Sequence, residues 1–245
     1  MQAVDGVVLG YPSLIRDILL PPQAPTDEIA RLLESAHCYH NQSHYERAVE
    51  IFELTLQKWS ALCDQKEPPL EVSLYFHLAV GEVFESAGLD DEALATYLAA
   101  VKLSDWLPDG HPDIATPFAR VGGVHFHALQ MEEAVQNFLV AKVIREETLG
   151  PNHPDTAAIY HNLACCMLLL PPKYDECMQL FKKALAVFEF ELGPEHPRTE
   201  TTRRNLTTAQ RTLTPKRILK PLPPPPEIKK PEAPAKKKKG KKKKK

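Results

Sequence analysis

Glycine is scarce in this chain of 245 residues, at 10 positions against 23 prolines, and the glycines present form no phosphate-cradling loop and no dinucleotide fingerprint. There is no GxSxG elbow, no HExxH and no CxxC. Without these signatures no catalytic residue, cofactor or metal is expected, and the chain reads as a non-enzyme. Long apolar runs are missing too: no window of 18 or more apolar residues exists, so no bilayer span is expected. Five cysteines, an odd number, fit free thiols in a reducing compartment. In MQAVDGVVLGYPSLIRDILLPP, Asp5, the Tyr11-Pro12 break and Arg16 interrupt what a leader would need. The expected location is cytoplasmic.

What is present begins with enough apolar side chains, 43% of the chain, to bury one sizeable core. Charge is distributed unevenly. Residues 215–245 hold thirteen Lys and Arg217 against two Glu, net +12, which leaves 16 basic and 30 acidic side chains elsewhere, net −14. An acidic body therefore carries a strongly basic tail.

One phrase recurs along the body. Helix-sized blocks open with SHYERAVEIF, LDDEALATY, QMEEAVQNF and KYDECMQLF, whose small residues Ala48, Ala93, Ala134 and Cys177 are 45, 41 and 43 residues apart. Four residues after each small residue stands an aromatic: Phe52, Tyr97, Phe138 and Phe181. One helical turn places the two on the same face, so a neighbouring helix can approach closely beside a bulky ring. Upstream, Gly81, Gly122 and Ala164 mark where the partner helix would make that approach. Between the pairs run LPDGHPDIA, LGPNHPDTA and LGPEHPRTE. In the last two, Gly150 and Gly193 suit a left-handed helix stop, and the Pro after each His suits the first turn of the next helix.

The stretch LGPNHPDTAAIYHNLACCMLLLPPKYDECMQLFKKALAVFEFELGPEHPRT resembles the tetratricopeptide repeat, in the long form found in kinesin light chains. The resemblance covers residues 26–211 and implies an all-α fold: a right-handed solenoid of about four helix hairpins plus a capping helix over residues 198–211. Residues 1–25 then form a loose N-terminal segment. Residues 212–245, with 8 of the prolines, have too few apolar groups to offset the entropy of ordering and are expected to be disordered. The same resemblance implies a concave groove lined by the first helix of each pair, with Leu33, His37, Tyr75, Leu78, Glu82, Glu85, Ala119, Phe126, His161, Cys165 and Leu168 facing it and Arg204 added from the cap. This mixed apolar and acidic lining suits an apolar or basic peptide from a partner protein.

Other clusters are weaker. His37, Cys38, His40 and His44 have zinc-ligand chemistry, but they straddle a turn and do not share one helix face. Cys165 and Cys166 lie among apolar neighbours and read as packing residues. His111, His153 and His196 recur with the linkers and read as helix caps. In the tail, Lys220, Leu222, Pro223 and Pro226 match the proline-rich ligands of SH3 and EVH1 domains. Lys236, Lys237, Lys238, Lys239, Lys241, Lys242, Lys243, Lys244 and Lys245 form a dense cation that binds polyanions such as tubulin's acidic tails, RNA or anionic lipid without reading sequence. The function expected is a scaffold or adaptor that holds a partner in its groove and tethers it to an anionic surface. Alternatives are a structural component of microtubules or ciliary axonemes and an RNA-associated or nuclear protein. Because the tail supplies almost no apolar burial, deleting residues 212–245 is expected to leave thermal unfolding unchanged; a fall of more than a few degrees would show the segment packed on the body.

Overall fold

The computed structural model describes residues 26–63, 69–170 and 174–213. Among these residues the chain is all α: α1 Asp27–Asn41, α2 Tyr45–Leu62, α3 Leu70–Ser86, α4 Asp90–Ser104, α5 Ala115–His127, α6 Met131–Thr148, α7 Pro154–Leu169, α8 Tyr174–Glu191 and α9 Pro197–Leu213, with a single 3-10 turn at Pro112–Ile114 before α5. Successive helices pack as hairpins, α1 with α2, α3 with α4, α5 with α6 and α7 with α8, and α9 lies against α8 and α7. None of these helices is long and apolar enough to cross a membrane.

The second and third hairpins close through the contact that the sequence spacing predicts. A Cβ added to Gly81 would lie 2.4 Å from the Tyr97 ring, and one added to Gly122 would lie 3.0 Å from the Phe138 ring. The first helix thus meets the ring of the second with bare backbone. In the fourth hairpin Ala164 takes the glycine's place, and the Cys177 thiol donates to its carbonyl at 3.3 Å. Phe52, Tyr97, Phe138 and Phe181 are all essentially inaccessible to solvent. Burying each ring contributes on the order of 1.5–3 kcal/mol.

The turns of the first three hairpins share one geometry. Ser43, Gly88 and Leu129 take positive φ (62°, 74° and 60°), and the next residue's N–H reaches back five positions, from His44 to Tyr39, Leu89 to Phe84 and Gln130 to His125. This is the pattern of a Schellman stop, in which a left-handed residue lets two orphan carbonyls be satisfied. Glycine occupies it only once. Leu129 pays a steric cost of about 1–2 kcal/mol there and is left largely exposed.

The linkers between hairpins are built from caps. Gly150 and Gly193 have φ 86° and 90°. After them His153 and His196 accept the N–H of Asp155 and Arg198 on Nδ1, at 3.1 and 3.2 Å, as His111 does for Asp113 at 3.2 Å. Pro112, Pro154 and Pro197 follow these histidines in the first turn, where a missing N–H costs nothing. Thr156 and Thr199 complete the linkers by donating to the Gly150 and Gly193 carbonyls, both at 2.8 Å. The recurring histidines are therefore structural caps.

Buried apolar side chains form two clusters among the described residues. One joins α1 to α4 with Val121 and Val124 of α5; the other joins Phe126 of α5 to α6, α7, α8 and α9. A buried polar link lies beside the second: Arg145 donates to Thr116 at 3.0 Å and pairs with Asp155 at 3.0 Å, holding the third hairpin to the fourth. An ion pair of this kind costs several kcal/mol if one partner is removed, because the other is left charged and buried.

The glycine contacts rank the substitutions. Gly81→Ala is expected to destabilise by about 1–3 kcal/mol, since the Tyr97 ring is enclosed and cannot move aside. Gly122→Ala, with more room, should cost less, and Gly122→Leu should be severely destabilising. Urea unfolding of the three variants gives the order; equal stability of Gly81→Ala and wild type would remove the contact as a constraint.

Candidate functional site

The first helices are joined to one another by polar links that the hairpin geometry places at their seams. Between α1 and α3, His37 Nε2 lies 2.8 Å from the Tyr75 hydroxyl and His40 Nε2 lies 3.0 Å from Ser86 Oγ. Between α3 and α5, the Arg120 guanidinium approaches Glu82 at 3.6 Å and Glu85 at 3.9 Å. Glu85 also accepts the Tyr97 hydroxyl at 2.9 Å and has His127 Nδ1 3.8 Å away. Burial works against the Arg120 charge, but Tyr97, Glu82 and Glu85 outweigh it and hold the group protonated. Burial first, and then the two glutamates, push the Tyr97 hydroxyl well above its ordinary range, so it remains a donor.

Between α7 and α9 the link is a buried neutral network. Thr202 donates its own proton to the Arg198 carbonyl at 2.7 Å, so the 2.9 Å contact between Thr202 Oγ1 and His161 Nδ1 requires His161 to donate there. His161 Nε2 is left as an acceptor, with Asn205 Nδ2 at 3.4 Å. Burial lowers the imidazole pKa to about 4. Cys165 Sγ stands 3.5 Å from the same nitrogen, which has the make-up of a thiol and base pair. Both residues are wholly enclosed, however, and burial drives the Cys165 thiol upward while it drives the imidazole downward. An ion pair is disfavoured from both sides, and no substrate could reach it. Burial likewise pushes Cys166 and Cys177 up to about 12.

The groove expected from the sequence is only partly present as an accessible surface. Leu33, His37, Glu82, Glu85, Ala119 and Leu168 are half-buried, and Arg204 is exposed. Tyr75, Leu78, Phe126, His161 and Cys165 are buried and do not face an open groove. The helix phase is corrected by the seams: Tyr75, His161 and Cys165 are engaged by His37, Thr202 and Asn205, while Leu78 and Phe126 belong to the apolar clusters. Every residue of α7 from Asp155 to Met167 is buried. The usable first-helix surface therefore lies on α1, α3 and α5. Glu82 and Glu85 are also not a free acidic patch, because Arg120 neutralises about half of their charge.

Arg120 was not expected at the site, although a lone cation in ATPFARVGG, among small and apolar residues, was a signal for a buried pair. The residues with zinc-ligand chemistry around the first hairpin turn make separate contacts: Cys38 accepts from Gln42, His37 and His40 bind Tyr75 and Ser86, and His44 precedes α2. Among the described residues no group of three or more His, Cys, Asp or Glu is placed to hold a metal ion. The proline-rich residues Lys220, Leu222, Pro223 and Pro226 and the lysines from Lys236 to Lys245 lie outside the described residues, as do residues 1–25.

Residues 113–170 match the family model of the tetratricopeptide repeat. No curated protein matches the sequence. Among solved structures, a protein of Podosopora anserina described as a kinesin light chain with nearly identical tetratricopeptide-like repeats aligns with a TM-score of 0.58 at 20% identity, covering 75% of this chain and 86% of that one. BtubC from P. vanneervenii aligns at 0.63 and 16% identity over 81% of each chain. The apo form of RapI aligns at 0.63 and 18% identity, covering 76% of this chain and 64% of that one. At these identities the likeness is one of fold.

The His161 network makes stability depend on pH. Its folded pKa lies below the unfolded value of 6.5, so its contribution is complete above pH 6.5 and is lost as pH falls toward 4. By pH 5 the loss is about 2 kcal/mol. Asp113 acts in the opposite direction, because burial raises its carboxyl to about 6 and acid then favours the fold. The two are separated by comparing wild type with His161→Gln: urea unfolding at pH 7 and pH 5 should show a smaller acid loss in the variant. An identical loss would mean that His161 is not the group that titrates.

Proposed function

We propose that this chain, which is a tetratricopeptide-repeat protein, is a non-enzymatic scaffold that holds a partner polypeptide on the first-helix face of α1, α3 and α5 and tethers it to an anionic surface through its basic tail. The fold is typically one for protein–protein interaction. The observation that carries the finer reading is the Glu82, Glu85 and Arg120 cluster: two half-buried carboxylates facing one guanidinium leave one negative charge. An apolar or basic segment complements that surface, and an acidic one is repelled. The sealed α7 supports confining the partner to the first three hairpins.

The tail's net charge of +12 supports binding to a polyanion by counterion release. Likeness in fold to a kinesin light chain and the lysine-rich ending favour microtubules, including those of a cilium, as that surface; RNA is the competing polyanion. Pelleting with microtubules before and after removal of the acidic tubulin tails separates the two. Residues 220–226 offer an additional ligand to SH3 or EVH1 domains.

The scaffold reading is tested in the full chain with a photo-crosslinking residue at position 119 or, as the control, at the exposed Leu98 on α4. Polypeptide adducts are expected from position 119, few from position 98, and fewer from position 119 when Glu85→Lys reverses the local charge. Equal adducts from both positions, unaffected by the charge reversal, would contradict it.

A further inference from the structure

A cleft of ≈ 430 Å³ opens between the second helices α2 and α4, with α3 as its floor. It is separate from the first-helix surface discussed above. Leu56, Val80 and Phe84 supply apolar walls, and the small Ala95 and Ala99 leave the space unfilled. Three polar side chains also line it: Glu53, His77 and Thr96.

Each of the three presents only an acceptor. His77 Nδ1 lies 2.8 Å from the Ser73 carbonyl, which can only accept, so the ring proton is on Nδ1 and Nε2 offers a lone pair. Thr96 spends its proton on the Glu92 carbonyl at 2.8 Å. Glu53 is an exposed carboxylate. No cation lines the cleft. A ligand that matches it must bring both apolar length and donors, and a positive charge best of all.

The fourth hairpin fills the corresponding place from within. Tyr160, four residues before Ala164, is the counterpart of His77, which stands four before Gly81; Lys183, six after Cys177, is the counterpart of Ala99, six after Ala93. There the Lys183 ammonium lies 5.8 Å above the Tyr160 ring, whose hydroxyl donates to Glu146 at 2.6 Å. The same seat is thus occupied by the protein's own cation over an apolar floor beside a carboxylate. In the second hairpin an alanine stands in place of that cation, and Glu53, His77 and Thr96 supply acceptors at other positions of the cleft.

We propose that the cleft between α2 and α4 docks a partner polypeptide by taking one of its Arg or Lys side chains, with the aliphatic stem against Leu56, Val80 and Phe84 and the charged head at Glu53 and His77. This is a second protein-docking surface, independent of the first-helix face. A partner that offers a basic residue flanked by aliphatic ones fits it, and an acidic or purely polar segment does not.

The probe is acetyl-Leu-Arg-Leu-amide, with acetyl-Leu-Gln-Leu-amide as its neutral counterpart, titrated into methyl-labelled full-length protein by NMR. The expected result is saturable shifts at the Leu56, Val80, Ala95 and Ala99 methyls and binding of the Gln peptide weaker by about tenfold or more. Glu53→Gln should weaken the Arg peptide by a similar factor. Ala99→Lys, which restores the internal cation of the fourth hairpin, should abolish its binding. Equal binding of the two peptides, shifts at Ala119 in place of the cleft methyls, no shift into the millimolar range, or unchanged binding in both variants would each overturn the proposal. Should Ala99→Lys fail to fold, Glu53→Gln decides, since its side chain is exposed and not needed for packing. Shifts at Ala119 alone would count for the first-helix reading and against this one.

Discussion

At Gly81 and Gly122 a helix backbone meets an aromatic ring with no side chain between them, and the surfaces of the body are arranged around those contacts. Close approach puts the rings of Tyr97 and Phe138 inside the hairpins. It also decides where the polar end of Tyr97 emerges: its hydroxyl binds Glu85, and Glu85 in turn faces Arg120 on the next hairpin. The residue that sets the spacing of one pair of helices therefore helps to orient the charges that join it to the following pair. A larger residue at position 81 would disturb both at once.

Stacking beyond the hairpin depends on directional links more than on a continuous apolar core. The two apolar clusters divide within α5, and across or beside the division run the Arg120 and Arg145 ion pairs. Histidine caps and the Thr156 and Thr199 bonds fix the angle at which each first helix starts. In a repeat array each unit is stabilised chiefly by its neighbours, so such links set both register and curvature. They also engage side chains that were expected to line an open groove, as His161 shows when it turns to Thr202 of α9.

What the sequence made legible was local. A small residue and an aromatic one turn apart, a glycine before a histidine and proline, and a recurring interval of 41 to 45 residues each report on geometry within a few turns of chain. The hairpins, the linker caps and the glycine contacts could be read from them. The helix phase toward solvent could not, because it depends on partners far away along the chain: Arg120 finds Glu82, Arg145 finds Thr116 and His161 finds Thr202 across 38, 29 and 41 residues. The polar residues Thr202 and Asn205 of the capping helix are buried for the same reason. The positive φ of Leu129 was likewise hidden, since only its hairpin equivalent Gly88 advertises that conformation.

The cleft over α3 and the surface on α1, α3 and α5 both inherit their shape from the second hairpin, which joins Gly81 to Tyr97. The most direct test of that dependence is the stability of Gly81→Ala in a Tyr97→Leu background, measured by urea unfolding as a double-mutant cycle. With the ring removed, the alanine should become neutral or stabilising by up to about 1 kcal/mol, the gain expected from helix propensity alone. If Gly81→Ala remained as costly without the ring as with it, the glycine would be serving some need other than the approach of Tyr97, and the hairpin contact would not be what sets the geometry of either surface.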